Sequence, residues 1–337
     1  MSEVLVTGGL GYLGSVLVPR LIARGHRVKV LDLCWFGDHL SGRLGGDKRY
    51  ELIKGDIRDV DLVRRVVNGC DTVIHLAGIS NDPCSDLDVE LTFSINLHAY
   101  QGLLESAGRG GVKKFINASS SSVYGIKEEP RVTEDLPLAP ITVYAACKAA
   151  AEELVRSFES KHFKTVSVRS ATLCGYSPRQ RLDLTVNILT NYAVNKGRIV
   201  VHGGSQQRPN IHINDIADFY AGLVEMNPEA WGGRSYNVGY QNHSLLEIAR
   251  MVRRVVGKES VAIEITDTND PRSYRIDSSL VWERLGFAPK HTLEDAVEDL
   301  KRAFASQWLC DPFENPRYYN IRAMKSIGIG CPESLNI

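Results

Sequence analysis

The sequence lacks an excess of charge of either sign. It has 40 Lys and Arg residues against 40 Asp and Glu residues, which gives a formal net charge of zero at pH 7. Proteins that hold nucleic acid or an anionic membrane surface usually concentrate positive charge. We therefore expect neither nucleic acid nor a membrane as a partner.

Long hydrophobic runs are also missing. No apolar stretch approaches the roughly 20 residues that span a bilayer, and the N-terminus enters a strand without a basic, then apolar, leader. The seven cysteines are scattered and include no Cys-x-x-Cys pair, which disfavours a disulfide framework or a zinc site. We expect reduced thiols, no metal ion and a cytoplasmic protein.

Strands and helices alternate through the first half of the chain. This alternation favours an α/β fold with a parallel, doubly wound sheet in a first domain over residues 1–175. The rhythm breaks afterwards, which predicts a smaller C-terminal α/β lobe over 176–310 with some segments crossing back. Residues 311–337 show no periodicity, and we expect them to form a tail on the surface.

A glycine-rich turn follows the first predicted strand. Gly8, Gly11 and Gly14 separate this strand, Val4 to Thr7, from an apolar helical pattern. Glycines there allow a tight turn, and a pyrophosphate can approach the helix N-terminus, where free N–H groups favour an anion. The spacing is one residue wider than the common dinucleotide fingerprint, and glycine turns after strands are common, so the motif alone indicates little.

An acidic residue ends the second predicted strand. Asp32 follows Gly14 by 18 residues, where a carboxylate would accept hydrogen bonds from the adenosine ribose. It would also repel a 2′-phosphate, and the neighbouring Leu33 and Cys34 offer no cation. We predict NAD rather than NADP; the alternative is an ordinary aspartate at a strand end.

Two further strand ends are candidates for cofactor contacts. After the third strand, Asp56 suits the adenine amino group and Ile57 the ring, although Asp56 is nearly as good a candidate for the N-cap of the next helix. Leu76, Ala77 and Gly78 end the fourth strand beside the expected ribose and pyrophosphate, where small residues would let the cofactor approach.

A tyrosine and a lysine open a predicted helix over residues 143–161. Tyr144 and Lys148 are four residues apart and so share one helix face. A phenol is a weak base at neutral pH, and a nearby ammonium would bring its pKa toward a useful value. A serine hydroxyl from the run after the fifth strand would orient a substrate alcohol. The alternative is a half-buried helix face.

In this order, the motifs resemble a known family, the extended short-chain dehydrogenase/reductases of the nucleotide-sugar epimerase/dehydratase branch. The resemblance covers roughly residues 3–300. It is carried by the glycine turn, Gly55-Asp56-Ile57, His75 to Gly78, Val123-Tyr124-Gly125, Tyr144 with Lys148, and Arg208 to Ala217. It implies a Rossmann sheet with a substrate lobe, and NAD as cofactor.

The resemblance implies specific roles in catalysis and cofactor binding. The catalytic Ser or Thr lies four residues before the tyrosine of Val-Tyr-Gly, which is Ser120. Tyr144 becomes the general base, Lys148 its partner, and Asn96 props backbone near the lysine. The predicted cofactor contacts are Gly8, Gly11, Tyr12, Leu13, Gly14, Asp32, Leu33, Asp56, Ile57, Leu76, Ala77, Gly78, Asn96, Ala118, Tyr144, Lys148 and Leu173.

The resemblance also implies a nucleoside-diphosphate sugar held by the second lobe. Arg208 and Arg272 are candidates for the diphosphate, with Arg275 as a rival to Arg272, and the base would meet a strand near residues 198–202. No place is predicted for Arg179 and Asp183. The predicted substrate contacts are Ser80, Asn81, Ser121, Ser122, Asn187, Val200, His202, Arg208 and Arg272. His202 has plain packing as its alternative.

One departure from the family bears on the reaction. The 4,6-dehydratases carry Asp-Glu after the catalytic Thr, whereas this chain has Ser121 and Ser122. We therefore expect an NAD-dependent nucleotide-sugar epimerase that passes hydride from sugar C4 to NAD, with Tyr144 as base, and then returns it. A 4-dehydrogenase or ketoreductase is the alternative, and a non-catalytic NAD-binding protein is disfavoured. A homodimer through helices 87–108 and 143–161 is expected.

Overall fold

The computed structural model describes residues 1–257, 260–268 and 272–330. The strands are β1 (Glu3–Thr7), β2 (Arg27–Asp32), β3 (Tyr50–Lys54), β4 (Thr72–His75), β5 (Lys114–Ser120), β6 (Lys164–Ser170), β7 (Thr172–Cys174), β8 (Arg198–His202), β9 (Gln207–His212), β10 (Arg234–Val238), β11 (Gln241–Ser244) and β12 (Ala262–Thr266). The helices are α1 (Gly14–Ala23), α2 (Ser41–Leu44), α3 (Val60–Val67), α4 (Asp82–Ser85), α5 (Val89–Phe93), α6 (Ala99–Arg109), α7 (Val143–Ser157), α8 (Thr185–Lys196), α9 (Ile213–Glu225), α10 (Leu245–Val256), α11 (Ser279–Leu285), α12 (Leu293–Ala305) and α13 (Asn320–Ser326).

A seven-stranded parallel sheet forms the centre of the molecule. Its strand order is β10-β6-β5-β4-β1-β2-β3, and each neighbouring pair is parallel. The order reverses at β1 and β4, and ligands bind at such a point, beyond the carboxyl ends of the strands. The predicted doubly wound α/β fold is confirmed.

Strand alternation explains the layers around this sheet. Val4 and Val6 of β1 pack on one side with Leu17 of α1, whereas Leu5 between them packs on the other side with Tyr100 of α6. All of these side chains are buried. Both faces are thus covered by helices, as a parallel sheet requires.

The second half of the chain contributes both to the main sheet and to smaller layers. β10 forms the edge of the main sheet, and α9 packs on α1. A three-stranded sheet (β11-β9-β7) and a two-stranded sheet (β12-β8) lie beside α8, α10 and α12 around a separate apolar cluster. No helix within the described residues is long and apolar enough to cross a membrane.

The long helix predicted over 87–108 is interrupted. α5 is followed by a π-helical segment, Ser94–His98, and only then by α6. The wider turn places Asn96 on the buried side, at 1% exposure. Such π segments are frequently found at functional sites.

The C-terminal segment differs from the surface tail that the sequence suggests. α13 packs against the body of the protein, where Asn320 and Met324 are 2% and 1% exposed. Met324 and Ile329 join the apolar cluster beneath α6. The described part of this segment, up to residue 330, is therefore an integral part of the fold.

Candidate active site

A cleft of about 490 Å³ opens beyond the carboxyl ends of β1, β4 and β5. The glycine turn and Asp32 line one part of it, and Ser120 with Tyr144 lines another. The second half of the chain adds Arg208 and further polar side chains. Most of the residues predicted for cofactor and substrate therefore meet in a single cavity.

The glycines of the turn meet backbone at close range. Gly8 has a φ of +70°, and a Cβ there would lie 2.6 Å from the Ala77 nitrogen. A Cβ on Gly14 would lie 2.5 Å from the Gly9 carbonyl oxygen. A side chain at either position would collide with the backbone that shapes the turn, so only glycine preserves this cradle.

Asp32 is fixed at the adjoining edge of the cleft. Its Oδ2 accepts a hydrogen bond from the Leu10 N–H at 3.0 Å, and its Oδ1 accepts one from the Cys34 N–H at 2.8 Å. Burial raises the pKa of this carboxyl above its usual value, while the two N–H donors oppose the rise. The carboxylate is thus oriented for hydroxyl donors, as a ribose would supply.

Two predicted cofactor residues do not line the cleft. The Asp56 carboxylate pairs with Arg58, whose Nη2 lies 2.6 Å from Oδ2. Asp56 is not the N-cap of α3 either, because Asp59 accepts the Leu62 N–H at 2.9 Å. Asn96 acts one layer back: its side chain donates to the Ile79 carbonyl and accepts from the Ile79 N–H, each at 2.8 Å. This supports the prediction that Asn96 props backbone.

The predicted catalytic residues come together at the centre of the cleft. Burial raises the pKa of the Tyr144 phenol, and its interaction with the Ser120 hydroxyl opposes this rise. The Lys148 ammonium donates to the Ala118 carbonyl at 2.7 Å and lies 5.8 Å from the centroid of the Tyr144 ring. Thr142 caps α7 and so sets where this helix begins.

Burial dominates the protonation of this group. It raises the pKa of Tyr144 to about 12 and lowers the pKa of Lys148 to about 8. The expected net lowering of the Tyr144 pKa by Lys148 is therefore not seen in the protein alone, because desolvation of the phenol outweighs the charges around it. Both groups are held in their neutral forms more strongly than in water.

A buried ion pair lies behind the catalytic residues. Glu152 is one helical turn beyond Lys148 on the same face of α7, and Arg169 Nη2 donates to it at 2.8 Å. Ser119 also donates to Glu152. Sequence reasoning missed this pair, although the four-residue spacing from Tyr144 to Lys148 to Glu152 is visible in the sequence.

The second half of the chain lines the far end of the cleft. Arg208 donates to the backbone of Gln207 at 3.0 Å and to the carbonyl of Arg272. Arg272 pairs with Asp82, and the Tyr274 hydroxyl lies 3.3 Å from Ser121 Oγ. Arg275, the rival candidate to Arg272, does not line the cleft.

Three predicted substrate residues lie elsewhere. Asn187 is fully buried: its Nδ2 donates to the Tyr12 hydroxyl at 3.0 Å and its Oδ1 accepts from the Gly175 N–H at 3.0 Å. These bonds contradict a diphosphate contact, because Asn187 instead holds Tyr12. Val200 and His202 lie on β8, which pairs with β12 outside the cleft. Their assignment to the base therefore stays a prediction.

The structure also brings in residues with no predicted place. Arg179, Arg181 and Asp183 line the cleft from the loop after β7. Asn320 reaches it from α13, and its Nδ2 donates to Ser80 Oγ at 2.9 Å. The Arg-Gln-Arg-Leu-Asp stretch over residues 179–183 was a visible charge cluster, but nothing in the sequence links it to a residue 137 positions away.

Comparisons with known proteins identify the family of the chain. Residues 4–239 match the family described as the NAD dependent epimerase/dehydratase family. The chain is 31% identical to dTDP-glucose 4,6-dehydratase of Streptomyces griseus, covering 88% of this chain and 92% of that protein. It is also 31% identical to UDP-glucose 4-epimerase of Mycolicibacterium smegmatis, covering 88% and 96%.

A solved structure shows the same fold. UDP-glucuronic acid 4-epimerase from Bacillus cereus, in complex with UDP-glucuronic acid and NAD, superposes with a TM-score of 0.81 at 26% identity, covering 90% of this chain and 99% of that one. The chain therefore belongs to the NAD dependent epimerase/dehydratase family, which confirms the predicted family, the enzyme class and NAD as cofactor.

Proposed function

We propose that this protein is a nucleotide-sugar epimerase that acts through a 4-keto intermediate. The observation that carries the proposal is the cleft itself, in which Ser120, Tyr144 and Lys148 share one cavity with the glycine turn and two arginines of the second half. One end suits a dinucleotide, the other suits the diphosphate of a sugar nucleotide, and an alcohol would lie between them.

The catalytic residues would handle one proton. Tyr144, as phenolate, would take the proton of the sugar hydroxyl, while Ser120 orients that hydroxyl. Lys148 would stabilise the phenolate charge from the same helix face. NAD, when bound, supplies the acceptor and donor of hydride. The residue that performs base catalysis is thus buried, where charge interactions are stronger than in water.

The sugar nucleotide would be held by the far end of the cleft. Arginine is suited to phosphate because its planar group donates two parallel hydrogen bonds. Arg208 and Arg272 supply this chemistry, and Asp82 pairs with Arg272. Ser80, Asn81, Ser121 and Ser122 line the cleft nearby and would face the sugar.

The side chains after Ser120 favour an epimerase over a dehydratase, although the chain is as similar to enzymes of one kind as of the other. Ser122 Oγ donates to Ser120 Oγ at 3.0 Å, and Ser121 contacts Tyr274. Serine hydroxyls do not ionise at neutral pH, so neither replaces the acid and base that removal of water requires.

A panel of nucleotide sugars tests this proposal. UDP-, dTDP-, GDP- and CDP-sugars are incubated with the purified protein, with NADH absorbance followed alongside NMR of the products. We expect interconversion of two epimers without net NADH. Stoichiometric NADH with a keto sugar would instead assign a dehydrogenase, a 4-keto-6-deoxy product would assign a dehydratase, and turnover of none would contradict the proposal.

A further inference from the structure

One guanidinium in the cleft is buried without a direct ion pair among the described residues. Arg179 is 2% exposed, and within the described part of the chain its Nε and Nη1 have no hydrogen-bond partner. Its neighbour Arg181 differs, because Arg181 Nε pairs with Asp183 at 2.9 Å. Burying an unpaired cation is costly, which points to an anionic ligand.

The position of Arg179 indicates which part of the cleft it serves. Its guanidinium stacks over the Phe36 ring, 3.9 Å from the centroid. Phe36 follows Asp32 in the chain, and the charge of Arg179 acts on the Asp32 carboxyl. Arg208 and Arg272 lie instead near Tyr274. Arg179 therefore belongs to the part of the cleft beside Asp32, whereas Arg208 and Arg272 belong to the part beside Tyr274.

A side chain from the C-terminal segment holds this guanidinium. Asn320 Oδ1 accepts a hydrogen bond from Arg179 Nη2 at 2.5 Å. Asn320 is fixed in turn, because its N–H donates to Asp183 at 3.0 Å and its Nδ2 to Ser80 Oγ at 2.9 Å. Only Nη2 of the guanidinium is thereby hydrogen-bonded, and the other two nitrogens, Nε and Nη1, are buried without a partner among the described residues.

We propose that Arg179 binds a diphosphate, that of the dinucleotide, and that Asn320 is the residue that positions it. The C-terminal segment is then part of the cofactor site. Burial, together with repulsion from Arg181, lowers the pKa of Arg179 to about 9, and a bound diphosphate would offset both effects. The inference rests on the NAD site of the proposed function, but not on which sugar is converted.

Binding measurements on cofactor-free, full-length protein test this inference without turnover. NAD and ADP-ribose probe the dinucleotide, while UDP, dTDP, GDP and CDP probe the sugar nucleotide. We expect Arg179→Gln to lower the affinity for NAD and for ADP-ribose about 10- to 100-fold, which is the effect of losing a charged hydrogen bond. Arg179→Lys should lose less of this affinity. Lys325→Gln, which removes an exposed charge on α13, should leave the affinity unchanged.

A double-mutant cycle separates positioning from general stability. If Asn320 acts through Arg179, Asn320→Ala lowers the NAD affinity several-fold in the wild-type background but causes no further loss in the Arg179→Gln background. Melting temperatures monitor folding. Equal effects of Asn320→Ala in both backgrounds would overturn the positioning role. Unchanged NAD affinity in both Arg179 variants would overturn the inference. A lower affinity for the nucleoside diphosphates with an unchanged affinity for NAD would also overturn it, because it would assign Arg179 to the sugar nucleotide.

Discussion

Tyr144 and Lys148 show how burial shapes the chemistry of single residues. Replacing Tyr144 by Phe removes only the hydroxyl that Ser120 contacts. We expect turnover to fall by about 10²- to 10⁴-fold, the usual contribution of a general acid or base. Tyr240→Phe, at an exposed tyrosine outside the cleft, is the matched control. Steady-state rates of the two variants measure the difference, and full activity of Tyr144→Phe would contradict the mechanism.

Burial of Lys148 predicts a pH dependence of stability. The pKa of Lys148 is about 8 in the folded protein against 10.5 for a free lysine. Between these values the unfolded chain binds more protons, so stability rises with pH in this window. Relative to Lys148→Met, the wild type should gain about 2 kcal/mol between pH 7.5 and pH 10.

Urea unfolding at the two pH values measures that gain. Lys325→Met, at an exposed lysine, should differ from wild type by the same amount at both. An equal difference for Lys148→Met at both pH values would show that Lys148 is not a desolvated ammonium.

Residues that local spacing brings into the cleft were predictable from the sequence. Asp32 ends a strand, and Tyr144 and Lys148 share one turn of a helix, so neighbours along the chain reveal them. Arg179 depends on Asn320, 141 positions away, and no local pattern shows that pairing. Asn187 failed for the opposite reason, because its spacing fits the family while its polar atoms are used inside the protein.

At the scale of elements, the turn between β1 and α1 requires glycine at position 14, where a side chain does not fit. A Cβ on Gly14 would meet three backbone atoms of Gly9 within 2.6 Å. We expect Gly14→Ala to destabilise the protein by about 1–3 kcal/mol, as overpacking does, and to weaken NAD. Gly42→Ala, at an exposed glycine with open space around it, should be neutral or slightly stabilising.

Thermal unfolding and NAD titration of these two variants provide the comparison. Equal stability of Gly14→Ala and wild type would mean that the turn tolerates a side chain, against the close contacts described above.

Element types followed periodicity well, whereas irregular segments did not. The alternation of strands and helices predicted the sheet through β6. The π-helical segment Ser94–His98 was not predicted, because apolar spacing does not distinguish it from an ordinary helix. β7 and β11 are short, with three and four residues, and β11 is polar throughout. Both strands pair with β9.

At the scale of the whole molecule, we propose a homodimer. Ala146, Ala150 and Leu154 recur every four residues on α7 and are half-exposed, and Phe93 and Leu97 are half-exposed on the neighbouring helical segments. Ala150→Arg should place a charge in the contact and give a monomer by light scattering. Ala230→Arg, at an exposed site outside these helices, should leave a dimer. A monomeric wild type would contradict the proposal.

Contacts between distant parts of the chain were the least predictable from the sequence. β10 completes a sheet begun more than 200 residues earlier, and α13 closes the site over Ser80. A single sequence records each segment's own preferences but not which distant segments pair. The architecture was therefore predictable and the assembly of the cleft only in part.

The return of hydride to the same carbon distinguishes an epimerase most directly. The nucleotide sugar that the panel identifies is prepared with deuterium at C4 and incubated with the wild-type protein, and the products are examined by NMR. We expect the epimer to keep its deuterium at C4 with no net formation of NADH. Loss of the deuterium from C4, or a keto sugar formed with stoichiometric NADH, would contradict an epimerase.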